Sequence, residues 1–176
     1  MKLHILLLSF LIPISISFSQ INPKVSNTEI IDFSKVEKYK VSKDNSSIIN
    51  DYDNVFLEKQ KDTLEKLISN YAQKTTRQIA VVTVDYIKPY NDIQKFATDL
   101  ANYWGVGDAK KDNGLLILLC RPCRKVTIVT GLGTEKILTD EICKEVIDNT
   151  IIPELKNGNF YKGIRNGVID LIEKWN

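Results

Sequence analysis

Apolar residues recur along this chain in two alternating patterns, one helical and one extended. From Val55 to Thr75 apolar side chains return every three or four residues, which predicts an amphipathic helix with Asp53 as its N-cap. The same spacing predicts further helices over residues 93–104, from Thr139 until Pro153 interrupts it, and over residues 160–175.

Extended segments lie between these helices. Residues 78–84 are rich in β-branched side chains and residues 115–119 are wholly apolar, as in buried strands, whereas residues 125–130 alternate as a half-exposed strand does. The tight turn at residues 120–124 predicts that the last two strands form a hairpin. The order of elements predicts an α/β fold, a three-layer α/β/α sandwich on a small mixed sheet with Rossmann-like topology.

The N-terminal part of the chain has a different character. Residues 1–19 contain a basic start, an apolar run and small residues at Ser17 and Ser19, which is the pattern of a cleaved signal peptide. Residues 20–49 are polar without a sustained apolar period and predict a flexible leader, followed by one domain over residues 50–176. We therefore expect a periplasmic or secreted protein with no membrane span after signal cleavage.

Charge and composition narrow the classes of function. The chain has 24 Lys and Arg residues against 22 Asp and Glu residues, and without residues 1–19 the basic count falls to 23. A nearly neutral chain lacks the basic excess that nucleic-acid binding needs, so we expect no nucleic-acid partner. The one histidine, His4, lies in the predicted signal peptide, so the mature chain is expected to work without imidazole chemistry.

The three cysteines leave several interpretations open. Cys120 and Cys123 are spaced as in redox motifs, but a strand follows them instead of the helix whose N-terminus lowers a thiol pKa. A disulfide in the hairpin turn, two free thiols, and a redox or metal role therefore remain as alternatives. Cys143 lies beside the apolar positions of a predicted helix and is expected in the core.

Two polar loops are the first candidate site. Chain direction places the loop before the second strand and the loop after the third strand at the same end of the sheet, and both carry oxygen ligands. Hard cations such as Ca²⁺ or Mg²⁺ prefer such ligands. The alternative is that these residues form turns, cap a helix or are solvated. The candidate metal ligands are Asp112, Asn113, Glu135 and Asp140.

Several short stretches in series resemble the TPM domain family, named for a thylakoid-lumen protein, a photosystem repair protein and a receptor modulator. They extend, in order, from Asn50 to Trp175. The stretches are Asn50-Asp51-Tyr52, residues 77–84, Trp104-Gly105-Val106-Gly107, residues 112–117, Arg124-Lys125-Val126, residues 130–135, Ile152-Pro153 and residues 158–164. The matching positions include Asp51, Asp53, Gly131 and Gly133 beside the candidate metal ligands.

The resemblance implies an α/β/α sandwich, export or a lumenal location and, in some members, calcium binding or a metal-dependent acid phosphatase activity. Two functions therefore stand as hypotheses. One is a divalent-cation-binding module of the cell envelope that contacts an envelope protein. The other is a metal-dependent acid phosphatase acting on phosphomonoesters, with a small phosphorylated ligand. Cys123 stands where the family often has an acidic residue, which argues against a function that needs a carboxylate there.

Overall fold

A computed structural model describes residues 31–36 and 48–176. The predicted signal peptide, residues 1–19, lies outside the described residues, as does most of the predicted leader. Within the described residues, no helix has both the length and the apolar character needed to cross a membrane.

A four-stranded mixed sheet forms the middle of the domain. Its strands are β1 Ile49–Asp51, β2 Gln78–Val84, β3 Gly114–Cys120 and β4 Lys125–Thr130, in the spatial order β1-β2-β3-β4. β1, β2 and β3 are parallel, and β4 pairs antiparallel with β3. The predicted hairpin is therefore confirmed.

Helices cover both faces of this sheet. They are α1 Glu58–Thr75, α2 Ile93–Trp104, α3 Leu132–Glu135, α4 Asp140–Val146, α5 Ile152–Lys156 and α6 Phe160–Trp175. Odd-numbered residues of β2 and β3 pack against α1, α4 and α6, whereas even-numbered residues pack against α2. Because both faces are covered, these strands lack the polar alternation of a half-exposed strand. The predicted α/β sandwich is confirmed.

The first helix begins later than its apolar pattern suggests. Its N-cap is Leu57, whose backbone N–H donates to Gln60 Oε1 at 2.9 Å. The prediction that Asp53 caps this helix is wrong, because Asp53 belongs to the loop before it and its carboxylate accepts hydrogen bonds from Arg121. An acidic residue just ahead of an apolar run predicts a cap only if the helix follows immediately.

Pro153 does not end the helix that begins after Thr139. The turn before it widens into a π-helical segment, Ile147–Ile151, and Pro153 lies in the first turn of α5. Proline lacks the N–H that an α-helical bond would need, and a widened turn accommodates both that loss and the ring. The predicted interruption at Pro153 is therefore a π-helical segment between α4 and α5, and the helical path continues to Lys156.

Strand β1 lies at the boundary where the sequence predicts a leader to end. Its three residues pair with Val81, Val82 and Thr83 of β2, and Ile49 is buried. Two of the three residues are polar, so a strand this short gives no apolar pattern. The folded domain thus begins just before residue 50.

A short segment of the predicted leader packs on α2. Phe33 is 4% exposed, its ring meets Phe96 edge-on at 5.5 Å, and it stacks on Tyr103 at 5.9 Å. Asp32 caps the single 3-10 turn Phe33–Lys35 by accepting a hydrogen bond from the Ser34 N–H. The buried Phe33 ring therefore anchors residues 31–36, which lie within the predicted leader.

Phe33→Ala is expected to release this segment without unfolding the domain. Removing a buried ring costs about 3 kcal/mol, and the cost falls on a segment that can open locally. Trypsin should therefore cleave after Lys35 more than about tenfold faster than in the parent protein. Ser34→Ala is the control because Ser34 is exposed and, among the described residues, its hydroxyl bonds only Asp32. Equal cleavage rates for the two variants would contradict the anchor.

Candidate functional site

The backbone of the Asp112 loop (residues 108–113) is bonded directly to the α3 turn (residues 131–135). The Asp112 carbonyl accepts hydrogen bonds from the Gly133 N–H at 3.0 Å and the Thr134 N–H at 3.2 Å. The buried Thr134 hydroxyl donates to the Gly114 carbonyl at 3.0 Å. The two loops that were expected at one end of the sheet therefore do meet there.

Glycine is required at this junction because the two backbones almost touch. A Cβ atom on Gly133 would lie 2.0 Å from the Lys111 carbonyl oxygen, and one on Gly131 would lie 2.4 Å from the Asp112 carbonyl oxygen. On the other side of the Asp112 loop, a Cβ on Gly114 would lie 2.0 Å from the Val106 oxygen. The glycines bring one loop against another, and residues 132–135 form the short helix α3 instead of the expected loop.

The Asn113 side chain holds the Asp112 loop in place through two hydrogen bonds. It is 9% exposed, its Oδ1 accepts from the Asp108 N–H at 2.9 Å, and its Nδ2 donates to the Thr76 carbonyl at 2.9 Å. Thr76 ends α1 in the left-handed conformation, so Asn113 ties the loop to the end of that helix. Asn113 is thus placed as a loop support, and its amide oxygen faces inward.

The three carboxylates of the predicted cation site are exposed. Asp112 has φ +48°, a left-handed conformation that aspartate tolerates better than most residues. Among the described residues, the side chains of Asp112 and Glu135 neither accept a hydrogen bond nor form an ion pair. Asp140 lies in the first turn of α4, after the N-cap Thr139. Also within the described part of the chain, no three His, Cys, Asp or Glu side chains are grouped closely enough to hold a metal ion.

The topology of the sheet implies a crevice at its opposite end, which the apolar pattern did not predict. β1, β2 and β3 follow one another in one direction across the sheet, yet α1 and α2 pack on opposite faces. The two crossovers therefore have opposite hands, although almost all such connections are right-handed. Chains that leave neighbouring parallel strands toward opposite faces open a crevice at the carboxyl ends of those strands.

Asp51, at the edge of this crevice, organises the loop between β1 and α1. Its carboxylate accepts hydrogen bonds from the N–H groups of Val55 and Phe56, both at 2.9 Å, and a short one from the Thr83 hydroxyl. The Thr83 oxygen in turn accepts from the Asp53 N–H at 3.1 Å. Thr83 is the one hydroxyl in the buried run of β2, which is the sequence signal that could have identified it.

Asp53 is held by the hairpin turn. Arg121 Nε donates to Asp53 Oδ2 at 2.8 Å, and its Nη2 donates to Oδ1 at 3.3 Å. The Asp53 side chain is 8% exposed, whereas that of Arg121 is 46% exposed. The hydrogen bond to Asp53 is also the main reason that the pKa of Arg121 is raised.

The cysteines occupy two environments. Cys120 ends β3 and is fully buried, and a disulfide joins it to Cys123 in the turn, which is half-buried. Cys143 is a free thiol in the core, as expected, with its sulfur 3.8 Å from the Leu138 carbonyl. Burial raises the pKa of Cys143 to about 11.

A family model of the TPM domain matches residues 49–174. A comparison with curated proteins finds no match.

Several solved structures share the fold. The N-terminal domain of a protein from P. gingivalis is 28% identical with a TM-score of 0.69, over 75% of this chain and 83% of that one. The N-terminal domain of the cg2496 protein from Corynebacterium glutamicum is 14% identical with a TM-score of 0.60, over 78% and 85%. The BA42 protein from the psychrophilic Bizionia argentinensis is 19% identical with a TM-score of 0.60, over 68% and 81%.

Proposed function

Because the chain belongs to the TPM domain family over residues 49–174, we propose that it is an exported divalent-cation-binding module of the cell envelope. The cation is held where the Asp112 loop meets the α3 turn. The module then contacts an envelope protein. The function of the module then resides in the two cation-binding loops and involves no catalytic residue.

The proposal rests on two unpaired carboxylates at the junction of the Asp112 loop and the α3 turn, which backbone hydrogen bonds hold in place. Backbone hydrogen bonds fix the Asp112 loop to the α3 turn, while the carboxylates of Asp112 and Glu135 are exposed and have no partner among the described residues. Because both carboxylates are exposed to water and unpaired among the described residues, they are available to bind a ligand from solution. A hard cation is the ligand that oxygen-only groups favour.

The ligand set differs from the one expected from sequence. Asn113 is not among the proposed ligands, because its side chain is buried and its amide is engaged at both ends, with Asp108 and with Thr76. Asp112 and Glu135 would supply carboxylates, with Asp140 as a further candidate, and water would complete the six to eight ligands of Ca²⁺. With so few protein ligands, we expect a dissociation constant of about 0.1–1 mM, the range of extracellular calcium modules.

Calcium titration followed by thermal unfolding tests this site. A cation that binds only the native state raises stability by about 1.4 kcal/mol at ten times its dissociation constant. Asp112→Asn and Glu135→Gln should each abolish that gain, since each removes a charged ligand. Asp62→Asn is the control because Asp62 is exposed on α1, far along the chain from both loops. A gain that persists in both loop variants would refute the site.

The same proteins separate a module from an enzyme. If the cation raises the melting temperature and no phosphomonoester is hydrolysed, the module is supported. Calcium-dependent hydrolysis of a general phosphomonoester that disappears in Asp112→Asn would instead identify a metal-dependent phosphatase.

A further inference from the structure

The hairpin turn at residues 120–124 combines a disulfide that has one half-buried cysteine with an anchored arginine. Cys120 is fully buried at the end of β3, Cys123 is half-buried, and Arg121 lies between them. The Arg124 N–H donates to the Arg121 carbonyl at 3.0 Å, and Arg124 has φ +54°. The position of the Arg121 backbone therefore depends on a turn that the disulfide closes.

Arg121 connects this turn to the loop between β1 and α1. Its two hydrogen bonds hold a carboxylate, Asp53, that is only 8% exposed. Asp53 in turn donates its N–H to Thr83, whose hydroxyl bonds Asp51. Polar contacts therefore connect the turn that the disulfide closes with the loop that precedes α1.

We propose that the Cys120–Cys123 turn is a reversible thiol-exchange site whose redox state is transmitted to Asp53 through Arg121. Its reaction partner is a thiol reductant, either a small thiol or a dithiol protein. This inference concerns the opposite end of the sheet from the proposed cation site and does not depend on it.

The chemistry is thiol–disulfide exchange. A thiolate attacks the Sγ of Cys123, the less buried of the two cysteines, forms a mixed disulfide with it, and releases the Cys120 thiolate, which takes a proton from water. A second thiol then displaces Cys123 and leaves as the oxidised disulfide, so that two electrons and two protons reach the protein. The positive charges of Arg121 and Arg124 favour the approach of the attacking thiolate.

Reduction is expected to loosen the turn without unfolding the domain. The disulfide closes a loop of only four residues, so it removes little entropy from the unfolded chain. The hairpin ladder from Leu115↔Thr130 to Cys120↔Lys125 does not depend on it. Opening the turn frees Arg121 to leave Asp53, which loses the partner of a nearly buried charge.

A cycle of variants in both redox states tests this coupling in the full chain. The melting temperatures of the parent, Arg121→Gln and Arg124→Gln are measured in the oxidised protein and again in dithiothreitol. The drop caused by Arg121→Gln should be at least about twice as large in the oxidised state, because reduction has already weakened its contact. Arg124→Gln is the matched control, since Arg124 lies in the same turn and has no side-chain partner among the described residues.

Equal drops for Arg121→Gln in the two states would overturn the coupling, as would a reduced protein that no longer melts cooperatively. Incubation with oxidised and reduced glutathione, followed by peptide mass spectrometry, tests the exchange itself. Glutathione should be found on Cys123. Glutathione on Cys120, or a disulfide that resists millimolar dithiothreitol in the folded state, would refute the exchange site. Cys143 should remain unmodified, because at neutral pH a buried thiol with a pKa of about 11 stays protonated.

Discussion

Gly133→Ala is expected to lower the free energy of unfolding by about 3 kcal/mol, near the upper end of what an added methyl group costs. The new Cβ would lie 2.0 Å from the Lys111 carbonyl oxygen and 3.1 Å from that of Asp112. Both atoms are backbone atoms, so no side chain can rotate to relieve the clash. The α3 turn must move away and stretch its hydrogen bonds to the Asp112 carbonyl. Urea denaturation with an unchanged m-value measures the loss.

Gly105→Ala provides the comparison. Gly105 has φ +65° but no atom within 4 Å of an added Cβ, so its cost is limited to the left-handed backbone, about 1–2 kcal/mol. The Gly133 variant should also lose the stabilisation by calcium, although Gly133 supplies no carboxylate. Equal destabilisation by the two substitutions would show that the contact between the loops is softer than the distances indicate.

Asp51→Ala is expected to destabilise the protein by about 3 kcal/mol or more. It removes the acceptor of three hydrogen bonds, and each hydrogen bond to a charged acceptor contributes about 1.5–3 kcal/mol to stability. The N–H groups of Val55 and Phe56 lose their partner, as does the fully buried hydroxyl of Thr83. The loop between β1 and α1 is then held mainly by the pairing of β1 with β2. Chemical denaturation measures the loss.

Asp51→Asn separates a structural role from a charge requirement. It keeps one acceptor oxygen, so it should recover part of the loss, whereas Asp62→Ala on the exposed side of α1 should change stability by less than about 0.5 kcal/mol. If Asp51→Ala were no worse than Asp62→Ala, the carboxylate would not be organising this loop. Calcium stabilisation at the opposite end of the sheet should remain intact in the Asp51 variants.

Elements with a strong apolar pattern were predictable from sequence. The periodicity of Phe96, Leu100 and Trp104 predicts α2, and the apolar runs predict β2 and β3, because burial on two faces requires apolar side chains at every position. β1 was not predictable in this way. Its polar residues are placed by pairing with β2, a long-range contact that leaves no local pattern.

The candidate site was likewise predictable only in part. Chain direction alone brings the Asp112 loop and the α3 turn to one end of the sheet. The burial of Asn113 depends on Thr76, and the need for glycine at position 133 depends on Lys111. Both residues are distant in sequence from their partners, and only the folded chain shows how close the backbones come.

The two central strands, which pack apolar side chains on both faces, have a consequence for the unfolded chain. Residues 79–84 and 115–119 contain no charge and no proline, and such segments associate as intermolecular β-structure when exposed. Arg77 and Asp85 bracket the first segment, and Asp112 and Arg121 bracket the second. Flanking charges of this kind act as gatekeepers against aggregation. Arg121, which bonds Asp53 in the folded domain, thus also helps to protect the nascent chain.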